Sequence, residues 1–178
     1  LGRVTPLSIG TATVVASVGD KRGTNNIRVL PDYSGNWTGE FVVTSCTGGS
    51  DFRECGRIMF PLVGQGPGVR VRYPFTLALS QDRDQVTGTL REPQYNRRSD
   101  IVAAVTGFVR LNGVLVIEAT VPQPNHEPFR VINWSSVANT ASTLMSGAFT
   151  QYEPKIAPFE HRYVLRTENE FVDVSHVK

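Results

Sequence analysis

The sequence predicts an all-β fold, most of it one closed antiparallel barrel of about eight strands, and three observations carry that expectation. Apolar and polar residues alternate through most of the 178-residue chain. β-Branched residues crowd the alternating stretches, and clusters of Gly, Asn, Asp and Pro separate them. No segment sustains a helical period. The nearest, 135–144, contains Ser135-Ser136, Asn139-Thr140 and Ser142-Thr143, residues that favour turns and edges over helix interiors.

The first pair of strands runs from Ile9 to Val18 and from Thr24 to Val29, around a turn at Gly19-Asp20-Lys21-Arg22-Gly23. Leu30-Pro31-Asp32-Tyr33-Ser34 reads as a linker, with Pro31 stopping the ladder. Eight further strands are expected near 36–45, 69–80, 85–91, 101–111, 114–121, 128–137, 143–152 and 159–167. Gln81-Asp82-Arg83-Asp84 turns between the second and third of these, and Asn112-Gly113 is a hairpin turn between the fourth and fifth. Pro-containing connections at 92–100 and 122–128 belong at a barrel mouth. Sequential strands joined by short turns close by up-and-down pairing, which removes exposed edges. An aligned sandwich is the competing architecture, since strand number alone does not exclude Greek-key connections. Gly39, Gly88, Gly107 and Gly147 fall inside strands, where glycine marks a bend or a close backbone approach.

Composition narrows the function classes. A hydrophobic share of 40% with 19% charged residues is that of a chain with a real core. The length suits one substantial domain plus a fragment: residues 1–31 as a partial module and 32–178 as the barrel. A net charge of +2 with dispersed basic residues leaves no footprint for nucleic acid. No apolar run is long enough for a membrane-spanning helix. Cys46 and Cys55 flank the turn-like segment 47–54 and suit one disulfide, against the alternative of two unrelated reduced thiols. A disulfide places the chain in an oxidising setting: secreted, periplasmic or at the cell surface. His126, His161 and His176 are dispersed, so neither a metal nor any other cofactor is expected.

Gly10-Thr11-Ala12-Thr13-Val14-Val15-Ala16-Ser17-Val18-Gly19, leading to a strand that ends in Val29, resembles the closing hairpin of a group-2 bacterial immunoglobulin-like domain. That resemblance implies a bacterial surface protein and an incomplete sandwich over residues 1–31. It also makes chance matches of the glycosylation triplets at Asn36 and Asn133. Gly35-Asn36-Trp37, with the later Val86-Thr87-Gly88-Thr89-Leu90 and Met145-Ser146-Gly147-Ala148-Phe149, resembles the calycin group of lipocalin-like and avidin-like barrels. There the Gly-x-Trp motif implies an indole plugging one end of the barrel. Read from the residues alone, Trp37 and Trp134 are large core plugs whose indole N–H groups each need an acceptor.

No nucleophile motif and no phosphate-cradling glycine loop occurs, so the chain is not expected to be an enzyme. Asp82 and Asp84 sit where a hairpin turn wants Asp for its own backbone. The candidate binding residues are polar or aromatic side chains inside apolar strands: Arg72, Tyr73, Glu118, Asn133, Trp134, Tyr152, Arg162 and Tyr163. Facing inward they would hold a small molecule or glycan at the barrel mouth; facing outward they are solvated surface around a packed interior, because the pleat alone does not set absolute register. The expected function is a non-catalytic surface module for adhesion or ligand capture. The alternatives are a structural subunit that self-associates or joins neighbouring modules through residues 1–31, and a small hydrolase or isomerase with an inward acid–base pair.

Overall fold

The computed structural model describes residues 8–47, 70–93, 100–122, 129–139, 141–156 and 162–177. Its strands are β1 (Gly10–Val18), β2 (Lys21–Val29), β3 (Gly35–Thr47), β4 (Arg72–Asp82), β5 (Gln85–Glu92), β6 (Ile101–Val109), β7 (Leu115–Val121), β8 (Phe129–Ala138), β9 (Leu144–Ile156) and β10 (Arg162–Val177). No helix occurs among the described residues, hence none long and apolar enough to cross a membrane.

Strands β3 to β10 close into one antiparallel barrel in the order β10-β3-β4-β5-β6-β7-β8-β9, and β1 and β2 form a separate two-stranded sheet. Each barrel strand pairs with its chain neighbour, and β10 returns to β3. The expected up-and-down closure is therefore present, and the stacked-sheet alternative is not. Several boundaries differ from the sequence reading, most clearly at the N-terminal hairpin and at the end of the last strand. The N-terminal hairpin turns on Gly19-Asp20 alone, with Gly19 at φ +56°, so Lys21 to Gly23 join the ladder opposite Val18 to Ala16. The last strand runs on to Val177, ten residues past Thr167, because bulges opposite β3 let it keep pairing through a polar stretch.

Alternation sorts the side chains cleanly. In β4, Phe75, Leu77 and Leu79 are buried while Thr76, Ala78 and Ser80 face water. Two residues at positive φ preserve this pattern where it would fail. Asn133 (φ +53°) sits in a β8 bulge between Val131 and Trp134, and Asp173 (φ +53°) in a β10 bulge between Phe171 and Val174. Each bulge resets the phase so that the next apolar side chain again points inward.

The centre of the barrel is aromatic. Phe41, Phe75, Trp134, Phe149 and Phe171 form one aromatic cluster, with Trp134 stacked on Phe149 at 5.0 Å and 4.6 Å from Phe171. Gly88, Gly107 and Gly147 are the close approaches expected of them: a Cβ there would run into the carbonyl oxygens of Ala78, Val116 and Ser135 on adjacent strands.

One end is sealed. The indole of Trp37 is fully buried and donates to the Tyr33 carbonyl at 2.9 Å. The Tyr33 hydroxyl donates to the Gly113 carbonyl at 2.7 Å and accepts from the Ala138 amide at 3.0 Å. The His176 ring lies 5.0 Å from the Trp37 ring, with Nε2 at 3.2 Å from the Ser34 carbonyl. Gly35, at φ +109°, leaves room for that imidazole, which any Cβ would strike. The short β4–β5, β6–β7 and β8–β9 connections lie at this end. The β3–β4, β5–β6, β7–β8 and β9–β10 connections leave the other, and most of their residues lie outside the described set.

Candidate functional site

Above the aromatic cluster, toward the end from which the long connections leave, the inward-facing positions change from apolar to polar. On β5 the inward series Val86, Gly88, Leu90 continues to Glu92, which is 4% exposed. On β9 the series Met145, Gly147, Phe149 continues to Gln151, and on β10 Thr167 and Asn169 point inward and are buried. Tyr73 on β4 completes the layer, stacked on Phe41 at 5.3 Å. Burial holds its hydroxyl above the ordinary tyrosine pKa.

Strands β5 and β9 stand on opposite walls of the barrel, yet Gln151 Nε2 reaches Glu92 Oε2 at 3.5 Å, a long contact that spans the lumen. Gln151 and Thr167 are register partners. The Asn169 amide donates to Thr167 Oγ1 at 3.1 Å and to the Phe149 carbonyl at 3.3 Å. Its Oδ1 accepts no hydrogen bond, although the residue is 1% exposed. A buried acceptor left so costs about 1–3 kcal/mol. The layer offers carboxylate, amide, hydroxyl and phenol groups, which suit hydrogen bonding to a ligand. Among the described residues no three His, Cys, Asp or Glu side chains converge as metal ligands.

The residues expected from sequence distribute differently. Tyr73 faces the interior at this layer. Trp134 is inside and belongs to the aromatic centre, its Nε1 donating to Ser136 Oγ at 3.0 Å. Arg72 points outward and bridges Glu40 and Asp173, each at 3.1 Å. Glu118 is exposed on the outer wall, as the alternation of Ile117 and Ala119 requires. Asn133 is exposed because its role is the left-handed bulge position, a conformation that asparagine tolerates. Tyr152 is half-buried on the outer wall, between its register partners Arg130 and Arg166, with the Arg166 guanidinium 5.7 Å from the ring centre. The side chains of Arg162 and Tyr163 lie outside the described set. Cys46 on β3 packs half-buried against the core, and its expected partner Cys55 lies outside the described residues.

The chain matches no protein-family model, no curated protein and no solved structure. Glu92 was legible as a continuation of the β5 alternation, but the Pro93 that follows it made the segment read as loop. Asn169 lay beyond the point where the last strand was expected to stop.

Proposed function

We propose that this chain is a non-catalytic binding module of a secreted or cell-surface bacterial protein, and that it takes its ligand at the polar end of the barrel. The observation that carries the reading is Asn169: a buried amide oxygen without a donor, on an inward-facing residue in the layer that also holds Thr167 and Gln151. A small molecule or glycan with N–H or O–H groups would satisfy it. The aromatic centre of the barrel argues for a site at the mouth. The calycin-like reading of the barrel, the immunoglobulin-like reading of residues 1–31 and a Cys46–Cys55 bridge belong to the same proposal; no described cysteine is a free thiol.

A thermal-shift screen against glycans and small polar molecules tests it. A true ligand raises the melting temperature of the parent protein, and Asn169→Leu and Gln151→Leu each abolish that shift. A shift that survives both substitutions, or a broad panel that produces none, removes the proposal.

A second reading has its own observation. The hairpin is amphipathic: Ala12, Val14, Ala16 and Val18 share one face with Ile27 and Val29, while Thr11, Thr13, Arg22 and Arg28 share the other. Half of these apolar residues are exposed, Val18 by 82%, and two strands alone are marginal in water. In this reading residues 1–31 assemble with a neighbouring sheet. Molecular mass in solution, measured with and without residues 1–31, decides it: a monomer in both cases excludes assembly.

A further inference from the structure

At the sealed end, remote from the polar mouth, a cleft of about 440 Å³ opens between the hairpin base and the β4–β5 turn, lined by Arg28, Leu30, Pro31, Asp32, Gln81, Arg83 and Asp84. Its walls are tied together through one side chain. Gln81 Nε2 donates to the carbonyls of Pro31 (3.1 Å) and Arg83 (2.8 Å), and its Oε1 accepts from the Tyr33 amide at 2.9 Å. Asp32 is held in place by the Ser34 amide, which donates to Oδ1 at 2.9 Å. The linker wall and the turn wall of the cleft are therefore held together.

Two features of its arginines leave them available to an anion. Among the described residues neither guanidinium is paired with a carboxylate, although Asp32 and Asp84 line the same cleft. Arg83 also occupies the first central position of a two-residue hairpin turn at φ +59°, between the register partners Asp82 and Gln85. That position favours glycine, and any L side chain is strained there. The strained turn holds Arg83 in the lining of the cleft that Arg28 also lines.

We propose that this cleft binds a sugar carboxylate, a uronic acid at the end of or within an acidic glycan. The two arginines receive the carboxylate. Asp32 and Asp84 accept from the sugar hydroxyls, and Leu30 and Pro31 meet the apolar face of the ring. The same two carboxylates repel a phosphate dianion, which leaves a monoanion bearing hydroxyls as the better fit.

Titration calorimetry of the full chain with digalacturonic acid, its methyl ester and inorganic phosphate tests the assignment. Saturable binding of the acid is expected, with the ester and phosphate at least tenfold weaker. Arg28→Gln and Arg83→Gly should each weaken the acid at least tenfold. Arg83→Gly relaxes the turn, so its melting temperature should equal or exceed the parent's, which separates lost binding from lost folding. No saturable binding of the acid, equal binding of the ester or phosphate, or parent-like binding in both variants would each overturn the proposal. Asn169→Leu, at the other end of the barrel, should leave this binding unchanged, so failure here is distinct from failure of the mouth site.

Discussion

Replacing Tyr33 with phenylalanine isolates what seals the closed end. The ring is fully buried, so Phe retains its apolar contacts and its packing 6.3 Å from Trp37; only the hydroxyl is lost. That hydroxyl serves the Ala138 amide at 3.0 Å and the Gly113 carbonyl at 2.7 Å, linking the linker to β8 and to the β6–β7 turn. Each buried group orphaned this way costs about 1–3 kcal/mol, and the carbonyl with its second lone pair falls at the lower end, so the sum is roughly 2–4 kcal/mol. For a chain of this size that lowers the melting temperature by roughly 5–15 °C. Urea denaturation is the assay: the midpoint should fall with an unchanged slope, since the surface exposed on unfolding is the same. Tyr152→Phe, on the outer wall, is the control and should stay within about 0.5 kcal/mol of the parent. A Tyr33→Phe loss below about 0.5 kcal/mol would refute the reasoning, because the hydroxyl would then contribute no more than a surface group.

The barrel's close approaches predict that Gly88→Ala and Gly107→Ala each lose at least about 2 kcal/mol in thermal unfolding, since the new methyl meets a neighbouring strand's backbone. Gly23→Ala, with open space around its Cβ position, should change stability by less than about 0.5 kcal/mol; equal effects at the three sites would contradict the geometry. Alkaline pH should destabilise the fold. Burial raises the native pKa of Tyr33 and of Tyr73, the Ala138 and Leu115 backbone contacts partly offsetting it at Tyr33. Their contribution is complete below the unfolded value near pH 10 and is lost as pH rises from there through the native values, because the unfolded chain releases its protons first. Urea midpoints should hold steady to about pH 9 and fall beyond about pH 10, less steeply in Tyr33→Phe; a midpoint that is flat through about pH 11 would exclude the effect.

The barrel was legible because its determinants are local. Alternation, turn residues and strand number are all written in consecutive residues, and each barrel strand pairs with its chain neighbour, so local order and spatial order coincide. The four strand-interior glycines were legible for the same reason. Two things were not. Tyr33 read as linker because nothing near it in sequence shows that Gly113 and Ala138 wait for its hydroxyl, at separations of 80 and 105 residues. The continuation of β10 was hidden because Glu168, Asn169, Glu170 and Asp173 break the apolar alternation, and only pairing with β3 and β9 holds them in a strand.

The candidate site divides along the same line. Sequence alone determined that polar residues lie within apolar strands, and it named Tyr73 among them. Which wall each one faces was decided by closure of the barrel and by two bulges that shift the side-chain phase by one residue. That shift sent Asn133 and Asp173 outward and Trp134 and Val174 inward, while unbroken alternation placed Arg72 and Glu118 outside and Glu92 and Gln151 inside. Side-chain direction has a period of two along a strand, so its absolute phase comes from contacts with other strands, and those exist only once the sheet has closed.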